Sequence, residues 1–357
     1  MDHLRRRGRL TERLPALEVE AVLVSRLPNV RYMTGFTGSS GMALVGTAGA
    51  VFFTDGRYAE QSRLEVPDLE RVASMDPPAP AILEHCRRLG VRRLGFERHD
   101  VTVAQHEAWR AAFEGLQLVG VGEEVERLRW TKDPEELERL RAAQDATDAA
   151  FADILDVLAV GMTERQAAAH LDRTMTLHGA DAPSFPTIVA FGEHAAEPHH
   201  RPTHRTLAEG DVIKIDFGAV VDGYHTDMTR TVAFGAPVPQ LRKVHDVVAE
   251  AQQAGIDALR AGAVGRDVDA AARAVIREAG YGDRFAHGLG HGVGLEIHEG
   301  PSLGARSEDE LPAGSVITVE PGVYLPGIGG VRIEDAVEVT DDGGRPLGSA
   351  TRELIEL

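Results

Sequence analysis

Short apolar runs separated by turns fill the first third of the chain from Ala21 onward. Residues 51–54 form one such run, which predicts a strand that stops at the Asp55-Gly56 turn. Alternation of strands and turns with helical stretches is typical of an α/β arrangement. The pattern therefore predicts an α/β N-terminal domain.

A break follows at residues 130–136. Asp133 is placed to cap a helix, Pro134 suits the first helical position, and Glu136 completes a capping box. An Ala-rich helix is expected from here to about residue 158. We place the domain boundary near residue 128, which gives an N-terminal domain over 1–128 and a second domain over 129–357.

The second domain opens with two predicted helices, because Gly161 marks a stop and Thr163 with Gln166 marks another capped start. The pattern then predicts a run of strands, a pair of helices and further strands. The predicted strands cover residues 186–192, 212–220 and 224–234, and the predicted helices cover 241–259 and 268–279. This order indicates an α+β domain in which helices flank a mixed or antiparallel sheet.

Composition narrows the classes of function. The 357 residues include 38 Lys plus Arg and 56 Asp plus Glu, for a net charge of −18, which disfavours nucleic acid or an anionic membrane as a partner. Cys86 is the only cysteine, so an intrachain disulfide is excluded and a reducing compartment is expected. The basic start is followed by no apolar run of signal-peptide type, so we expect a cytoplasmic protein without a membrane partner.

The segment 212–227 places two carboxylates together. Asp222-Gly223 is a two-residue hairpin turn, and if Val221 pairs with Tyr224, the ladder sets Gly218 opposite Asp227 and Asp216 opposite Thr229. Side chains alternate along a strand, so Asp216 and Asp227 are expected on one face, roughly 7–8 Å apart at the backbone. A shared cation is one interpretation; an aspartate facing solvent on an edge strand is the other.

Three more potential ligands sit in or beside apolar strands: His291, Glu320 and Glu334. Burying an unpaired carboxylate is costly, and metal coordination removes that cost. The set of four carboxylates and one imidazole suits Mn²⁺, Co²⁺, Zn²⁺ or Fe²⁺. Five ligands exceed the need of one tetrahedral ion, and two ions roughly 3.5–4 Å apart serve amide hydrolysis.

Glycines are frequent across residues 287–294, where a phosphate-binding loop is the alternative to consider. The segment lacks the Gly-Lys-Ser/Thr ending of such loops and is not framed by a strand and a helix. We expect instead that the glycines allow close backbone approach at the metal site, and no nucleotide is predicted.

The ordered set Asp216, Asp227, His291, Glu320 and Glu334 resembles the pita-bread-fold Xaa-Pro peptidases, prolidase and aminopeptidase P. Residues 29–38 and 54–58 are similar to the N-terminal domain of that family. The resemblance implies an α/β creatinase-like N-terminal domain followed by a pita-bread catalytic domain. It further implies that Asp216 binds one ion, that His291 and Glu320 bind the other, and that Asp227 and Glu334 bridge both. The two ions are expected to be Mn²⁺, with Co²⁺ or Zn²⁺ as alternatives.

The same resemblance marks His199 and His298 as substrate-facing histidines, which with Glu320 form the predicted catalytic set. Imidazoles can donate to an oxyanion or carry a proton near neutral pH. A shift of one residue would give His200 the place of His199. His287, Arg332 and Tyr324 match substrate-binding positions, although a structural histidine, salt bridge or core tyrosine would explain them too.

Two activities of this family remain open. A Xaa-Pro dipeptidase is preferred, for which Arg57 or Arg332 would bind the free carboxylate of the substrate; aminopeptidase P, acting on longer proline-containing peptides, is the alternative. A metal-free creatinase-like amidinohydrolase and an inactive binding protein are disfavoured by the complete ligand set. Methionine aminopeptidase would leave the first 128 residues unexplained. The resemblance also implies a homodimer.

Overall fold

The computed structural model describes residues 1–357 as two compact units. Unit 1 is Met1–Arg129 and unit 2 is Trp130–Leu357. None of the helices combines the length and apolar character needed to span a membrane.

Unit 1 is built on one mixed sheet of six strands. In chain order its elements are α1 (His3–Thr11), β1 (Ala21–Val24), α2 (Leu27–Thr34), β2 (Gly41–Gly46), β3 (Gly49–Thr54), α3 (Ala59–Glu65), β4 (Glu70–Ala73), α4 (Ala79–Arg88), β5 (Arg93–Glu97), α5 (Val103–Ala112), β6 (Gln117–Val121) and α6 (Glu124–Arg129). The strand order is β4-β3-β2-β1-β5-β6. β1 pairs with β5, β5 with β6 and β3 with β4 in parallel, whereas β1–β2 and β2–β3 are antiparallel. The predicted α/β domain and the strand at residues 51–54 are confirmed.

The core of unit 1 follows the two-residue period of its strands. Ala21 and Leu23 of β1 share a buried cluster with Val51 and Phe53 of β3. Side chains two positions apart point to the same face of a sheet, so one face of β1 and β3 packs against helices. Helices α4 and α5 complete this cluster with Ile82, Cys86 and Trp109.

Unit 2 contains four helices and thirteen strands. They are α7 (Pro134–Val157), α8 (Glu164–Leu177), β7 (Ala182–Pro183), β8 (Ile188–Phe191), β9 (Val212–Phe217), β10 (Ala219–Val221), β11 (Tyr224–His225), β12 (Met228–Ala233), α9 (Pro239–Ala258), α10 (Gly265–Glu278), β13 (Gly290–Gly292), β14 (Glu299–Leu303), β15 (Val316–Val319), β16 (Gly322–Leu325), β17 (Gly329–Arg332), β18 (Asp335–Thr340) and β19 (Gly343–Pro346). Short 3₁₀ turns lie at Gly56–Tyr58, Gly192–Ala196 and Gly282–Arg284.

Two helix pairs flank the antiparallel sheets of unit 2. Helices α7 and α8 share a buried cluster with β8, β9 and β12, which form the sheet β12-β9-β8. Helices α9 and α10 share another with the sheet β14-β13-β15-β18-β19 and with the hairpin β16-β17. The remaining strands form the small sheet β11-β10-β7. The predicted α+β domain with flanking helices is confirmed.

Both predicted capping boxes are present. Glu136 N donates to Asp133 Oδ1 at 2.9 Å, and Asp133 N donates to Glu136 Oε2 at 2.9 Å. Thr163 and Gln166 make the same reciprocal pair at the start of α8. Each box satisfies backbone donors that the first helical turn leaves free.

The predicted continuous strands at 212–220 and 224–234 are wrong in one respect, because each is divided between two sheets. β9 ends at Phe217 and β10 begins at Ala219, with Gly218 at the break. A Cβ atom on Gly218 would lie 1.9 Å from the carbonyl oxygen of Thr226, so only glycine fits this approach. The predicted pairing is nevertheless correct, since Val221 lies opposite Tyr224 and Asp216 lies opposite Thr229.

Candidate metal centre and active site

A cavity of about 460 Å³ opens between the strands of unit 2. Four carboxylates and several histidines line it, together with apolar side chains. The lining residues include Phe185, Pro186, Ile188, Pro198, His199, His200, Arg201, Asp216, Asp227, His287, Gly288, Gly290, His291, His298, Glu320, Arg332 and Glu334. All five predicted metal-ligating residues therefore line one cavity.

The five predicted metal-ligating residues lie in or beside strands from different sheets of unit 2. Asp216 belongs to β9, and Asp227 immediately precedes β12. His291 belongs to β13, Glu320 follows the last residue of β15, and Glu334 lies between β17 and β18. Because each residue is at or beside a strand end, packing of the buried strands fixes the position of its side chain.

The donor atoms of three of these residues converge closely. A nitrogen of His291 and carboxylate oxygens of Asp227 and Glu334 all lie within 4.8 Å of one another. His291 Nε2 is 3.7 Å from Asp227 Oδ2 and 3.5 Å from Glu320 Oε1. His291 Nδ1 donates to the carbonyl oxygen of Gly292 at 3.1 Å, so Nε2 of the neutral ring is left with a free lone pair toward the carboxylates.

Several carboxylate oxygens in the cavity are buried without a hydrogen-bond partner: Asp216 Oδ1, Asp227 Oδ1 and Glu334 Oε1. Burial and the neighbouring carboxylates raise the pKa values of Asp227 and Glu320, and they raise the pKa of Glu334 to about 8. Burial lowers the pKa of His291 to about 4, which keeps the imidazole neutral. Buried carboxylate oxygens that lack a hydrogen-bond donor, beside a neutral imidazole, are the donor set of a divalent cation site, and a bound cation would favour the ionised carboxylates. The residues present fit such an ion.

Arg332 is hydrogen-bonded to the carboxylate cluster, directly through Asp216 and indirectly through Thr229. Its Nη2 bonds to Asp216 Oδ2, and its Nε donates to Thr229 Oγ1 at 2.9 Å. Thr229 Oγ1 in turn donates to Glu334 Oε2 at 2.6 Å. Arg332 is only 3% exposed. Its Nε, Nη1 and Nη2 atoms all donate to neighbouring residues, so this predicted substrate-binding cation is largely bonded within the site.

A directed chain of hydrogen bonds links Arg332, Tyr324 and His287. Arg332 Nη1 donates to the Tyr324 hydroxyl at 3.0 Å, and this hydroxyl contacts His287 Nε2 at 2.9 Å. Burial lowers the pKa of His287 to about 4, and its Nδ1 donates to the Gly288 carbonyl at 2.8 Å. Nε2 of this neutral ring must therefore accept from Tyr324. These hydrogen bonds fix the orientation of the His287 ring.

The structure separates His199 from its neighbour His200. His199 is exposed to the cavity and its ring has no hydrogen bond. His200 is buried, with Nε2 3.0 Å from Glu164 Oε2 and Nδ1 2.6 Å from Glu197 Oε2. His199 is thus the histidine of this pair that is free to meet a substrate.

His298 stands beside His291. The two ring centroids are 4.4 Å apart in an edge-to-face arrangement, and His298 is exposed on the cavity wall. Arg57, by contrast, belongs to unit 1, where its guanidinium donates to Asp55 at 2.9 and 3.0 Å. Its predicted part in substrate binding stays a prediction.

The glycine-rich segment 287–294 runs unusually close to other backbone. A Cβ atom on Gly290 would lie 1.8 Å from the carbonyl oxygen of Thr318 in β15. The absence of a side chain lets β13 sit against β15 and places His291 at the cavity. The expectation of close backbone approach is confirmed.

Sequence patterns missed several residues that shape the cavity. Arg201 lines it with a guanidinium that makes no hydrogen bond or ion pair. Lys214 is fully buried, and its Nζ donates to the carbonyls of Glu197 and Pro198, the latter at 3.1 Å. Arg201 could have been found from the sequence, because it lies two residues after His199. Lys214 could not, because its contact is with a segment 16 residues away.

Comparison with known proteins agrees with this arrangement. Residues 138–341 match the model of metallopeptidase family M24, and residues 6–131 match the creatinase/prolidase N-terminal domain. The peptidase YqhT of Bacillus subtilis is 40% identical over 341 residues, covering 96% of this chain and 97% of its own length.

Two solved structures extend the comparison. A Xaa-Pro dipeptidase from Bacillus anthracis superposes with a TM-score of 0.97 at 37% identity, covering 99% of this chain and 100% of its own. An X-Pro aminopeptidase from Thermotoga maritima superposes with a TM-score of 0.90 at 35% identity, covering 97% and 99%. With this extent of similarity in sequence and fold, the chain belongs to metallopeptidase family M24, with the pita-bread fold of the prolidases and aminopeptidases P.

Proposed function

We propose that this protein is a metal-dependent Xaa-Pro dipeptidase, which hydrolyses the peptide bond before a C-terminal proline. The observation that carries the proposal is the set of buried, unpartnered oxygens of Asp216, Asp227 and Glu334 facing His291 in one cavity. The names of similar proteins, a Xaa-Pro dipeptidase among them, support the same reaction.

Asp216, Asp227, His291, Glu320 and Glu334 would hold two divalent ions, with Asp227 and Glu334 shared between them. When bound, the ions supply a hydroxide nucleophile at neutral pH and polarise the scissile carbonyl. Mn²⁺ is our proposal for the native metal, because the donor set is rich in carboxylate oxygens. Thr229 and Arg332 keep two of these carboxylates in a fixed orientation through the bonds to Glu334 and Asp216.

His298 and His199 are placed to act on the reacting amide. Both rings are exposed on the cavity wall, so each can donate to the oxyanion that develops as the carbonyl carbon becomes tetrahedral. One of them also delivers a proton to the departing proline nitrogen, which would otherwise leave as a strong base. Glu320, beside His291, joins them in the proposed catalytic set: ionised by the neighbouring cations, it would accept the proton that the attacking water loses in becoming hydroxide.

The cavity also suits the leaving residue. Phe185, Pro186 and Ile188 form an apolar wall against which a pyrrolidine ring can pack. Arg201 presents an unpaired guanidinium to the same cavity, whereas the guanidinium of Arg332 is bonded to site residues. We assign Arg201 to the free carboxylate of a dipeptide, which is the group that distinguishes a dipeptide from a longer peptide at this position.

Aminopeptidase P remains the second candidate, and the similarity to the X-Pro aminopeptidase from Thermotoga maritima favours it. A longer peptide has an amide where the dipeptide has its carboxylate, so it would offer Arg201 no charged partner. The complete set of candidate ligands weighs against a metal-free amidinohydrolase or an inactive binding protein. A homodimer and a cytoplasmic location complete the proposal.

The test uses purified protein reconstituted with Mn²⁺ and three substrates of matched first residue: a Xaa-Pro dipeptide, a Xaa-Pro-Yaa tripeptide and a Xaa-Ala dipeptide. The proposal expects turnover of the Xaa-Pro dipeptide well above the other two. Preferred cleavage of the tripeptide would assign the chain to the aminopeptidase, and equal cleavage of the Xaa-Ala dipeptide would contradict proline specificity.

A further inference from the structure

One buried carboxylate outside the candidate metal site accepts hydrogen bonds from several residues of a segment that lines the cavity. Glu164, the first residue of α8, has a fully buried side chain. Its Oε1 accepts from Phe191 N at 2.9 Å and from His194 Nδ1 at 2.8 Å. Its Oε2 accepts from His200 Nε2 at 3.0 Å and from both Thr203 N and Thr203 Oγ1, at 2.8 and 2.6 Å.

All five donors belong to residues 191–203, which run from the last residue of β8 into the connection to β9. This connection carries Pro198, His199 and Arg201 of the cavity wall. Burial alone would raise the pKa of Glu164, but the hydrogen bonds from Thr203, Phe191 and His200 lower it to about 2. The carboxylate is therefore charged while it holds the connection.

Residues of strands β9 and β17 also form hydrogen bonds with the same connection. Lys214 Nζ donates to the carbonyl oxygens of Glu197 and Pro198, and Arg332 Nη1 donates to that of Pro198 at 3.3 Å. His199 follows these two carbonyls directly and has no hydrogen bond of its own. Hydrogen bonds from Lys214 and Arg332 before His199, and to Glu164 after it, thus fix the backbone on both sides of an imidazole that is left free for substrate.

Glu164, His194 and His200 also have the residue types of a metal site, and their donor atoms lie within 4.8 Å of one another. Both carboxylate oxygens are already saturated by hydrogen bonds, two of them from backbone nitrogens that cannot move away. A hydrogen-bonding hub accounts for the cluster better than an ion does.

We propose that Glu164 is a positioning residue for His199: it holds the 191–203 connection in the geometry that presents this imidazole to the scissile amide. The inference rests on the proposed function for its catalytic part. A misplacement of about 1 Å in a catalytic group can cost on the order of 100-fold in rate, so the hub has a kinetic consequence as well as a structural one.

Glu164→Gln is the most direct variant. Whichever way the amide turns, its NH₂ group faces a backbone N–H, that of Phe191 or of Thr203, and at least one further donor. Two N–H groups that face each other cannot form a hydrogen bond, so residues 191–203 must shift to separate them. We expect kcat to fall by about 10- to 100-fold, because His199 acts on the transition state, whereas any rise in KM would report the accompanying shift of Arg201 on the same connection.

A double-mutant cycle with His199→Ala separates positioning from general damage. If Glu164 acts through His199, Glu164→Gln lowers kcat by less than about threefold in the His199→Ala background. An equal loss of kcat in both backgrounds would overturn the proposal. Metal content and melting temperature are measured for every variant, since a lost ion would imitate a lost donor.

Hydrogen–deuterium exchange supplies a readout that does not depend on activity. Peptides within 191–203 should exchange faster in Glu164→Gln than in wild type, and unchanged exchange there would also overturn the proposal. Glu97→Gln is the matched control, because Glu97 in unit 1 is a buried carboxylate that accepts from Ser25 N and Arg26 N at 2.6 and 2.8 Å. It should change neither the exchange of 191–203 nor the rate.

Thr203→Val covers the case in which Glu164→Gln does not fold. It removes the 2.6 Å hydroxyl bond to Glu164 and the 3.0 Å bond from Arg205 N while leaving the carboxylate in place, so smaller changes in the same direction are expected in both rate and exchange. If the wild-type protein fails to cleave Xaa-Pro dipeptides, the proposed function falls, and the exchange measurement decides the positioning of the connection by itself.

Discussion

Thr229 donates a 2.6 Å hydrogen bond to one oxygen of Glu334 and leaves the other oxygen buried without a partner. The bond aims the free oxygen into the cavity that Asp227 and His291 also face. A carboxylate that is held by one oxygen and open at the other is ready to bind a cation at small cost in side-chain entropy.

Glu334→Gln is expected to abolish turnover while leaving the fold intact. The amide keeps the shape of the side chain but removes the charge that two ions would share. Activity on a Xaa-Pro dipeptide, bound metal and the circular dichroism spectrum are measured together. Retention of more than about a tenth of wild-type activity at full folding would contradict the bridging role.

His298→Ala is expected to lower kcat by about 10²- to 10³-fold, with a much smaller effect on KM. In the proposed mechanism the lost imidazole would face the position where charge develops in the transition state, so ground-state binding should change little. His178→Ala, at the exposed C-terminal end of α8, is the control and should behave as wild type. A fully metallated His298→Ala protein with a near wild-type rate would return His298 to a structural role.

Arg201→Gln should reduce kcat/KM for a Xaa-Pro dipeptide by about 10- to 100-fold, the value of one charge-assisted hydrogen bond. The same substitution should have little effect on the C-terminal amide of that dipeptide, which offers no carboxylate. Lys243→Gln, at an exposed position of α9, serves as the charge control. If Arg57→Gln showed the selective loss and Arg201→Gln did not, the carboxylate would belong to Arg57.

Much of the candidate site follows from local sequence rules. The Asp222-Gly223 turn and the two-residue period of strands are enough to place Asp216 opposite Thr229, as the structure has it. The pattern could not locate the break at Gly218, because that break depends on the carbonyl of Thr226 rather than on neighbours in sequence.

Glu164 could not be recognised from sequence for a related reason. Glutamate in the first turn of a helix is common and has a sufficient local explanation in the helix dipole. Its five donors lie 27 to 39 residues further along the chain, so the hub exists only once α8 has packed beside β8. The ambiguity between His199 and His200 has a related origin, since the contacts of His200 with Glu164 and Glu197 separate them only in the folded protein.

His245 gives the fold a dependence on pH that is separate from the metal centre. Burial in α9 lowers its pKa from 6.5 to about 4, so the folded state favours the neutral ring. The unfolded chain takes up a proton at higher pH than the folded one. Stability from this group is therefore complete above about pH 6.5 and is lost as the pH falls toward about 4.

His245→Leu should remove that contribution. The loss of unfolding free energy between about pH 7.5 and about pH 5 should be smaller in the variant by on the order of 2 kcal/mol. Denaturant unfolding of wild type, His245→Leu and the exposed control His178→Leu measures it. An identical pH dependence in wild type and His245→Leu would show that another group is responsible.

The central claim is that the five convergent residues bind two ions that are required for cleavage before proline. Metal-free protein is titrated with Mn²⁺ while bound metal per chain and the rate of Xaa-Pro dipeptide hydrolysis are recorded on the same samples. We predict no turnover without metal and full turnover as binding approaches two ions per chain. Full activity with less than one ion per chain, or no hydrolysis at full occupancy, would contradict it.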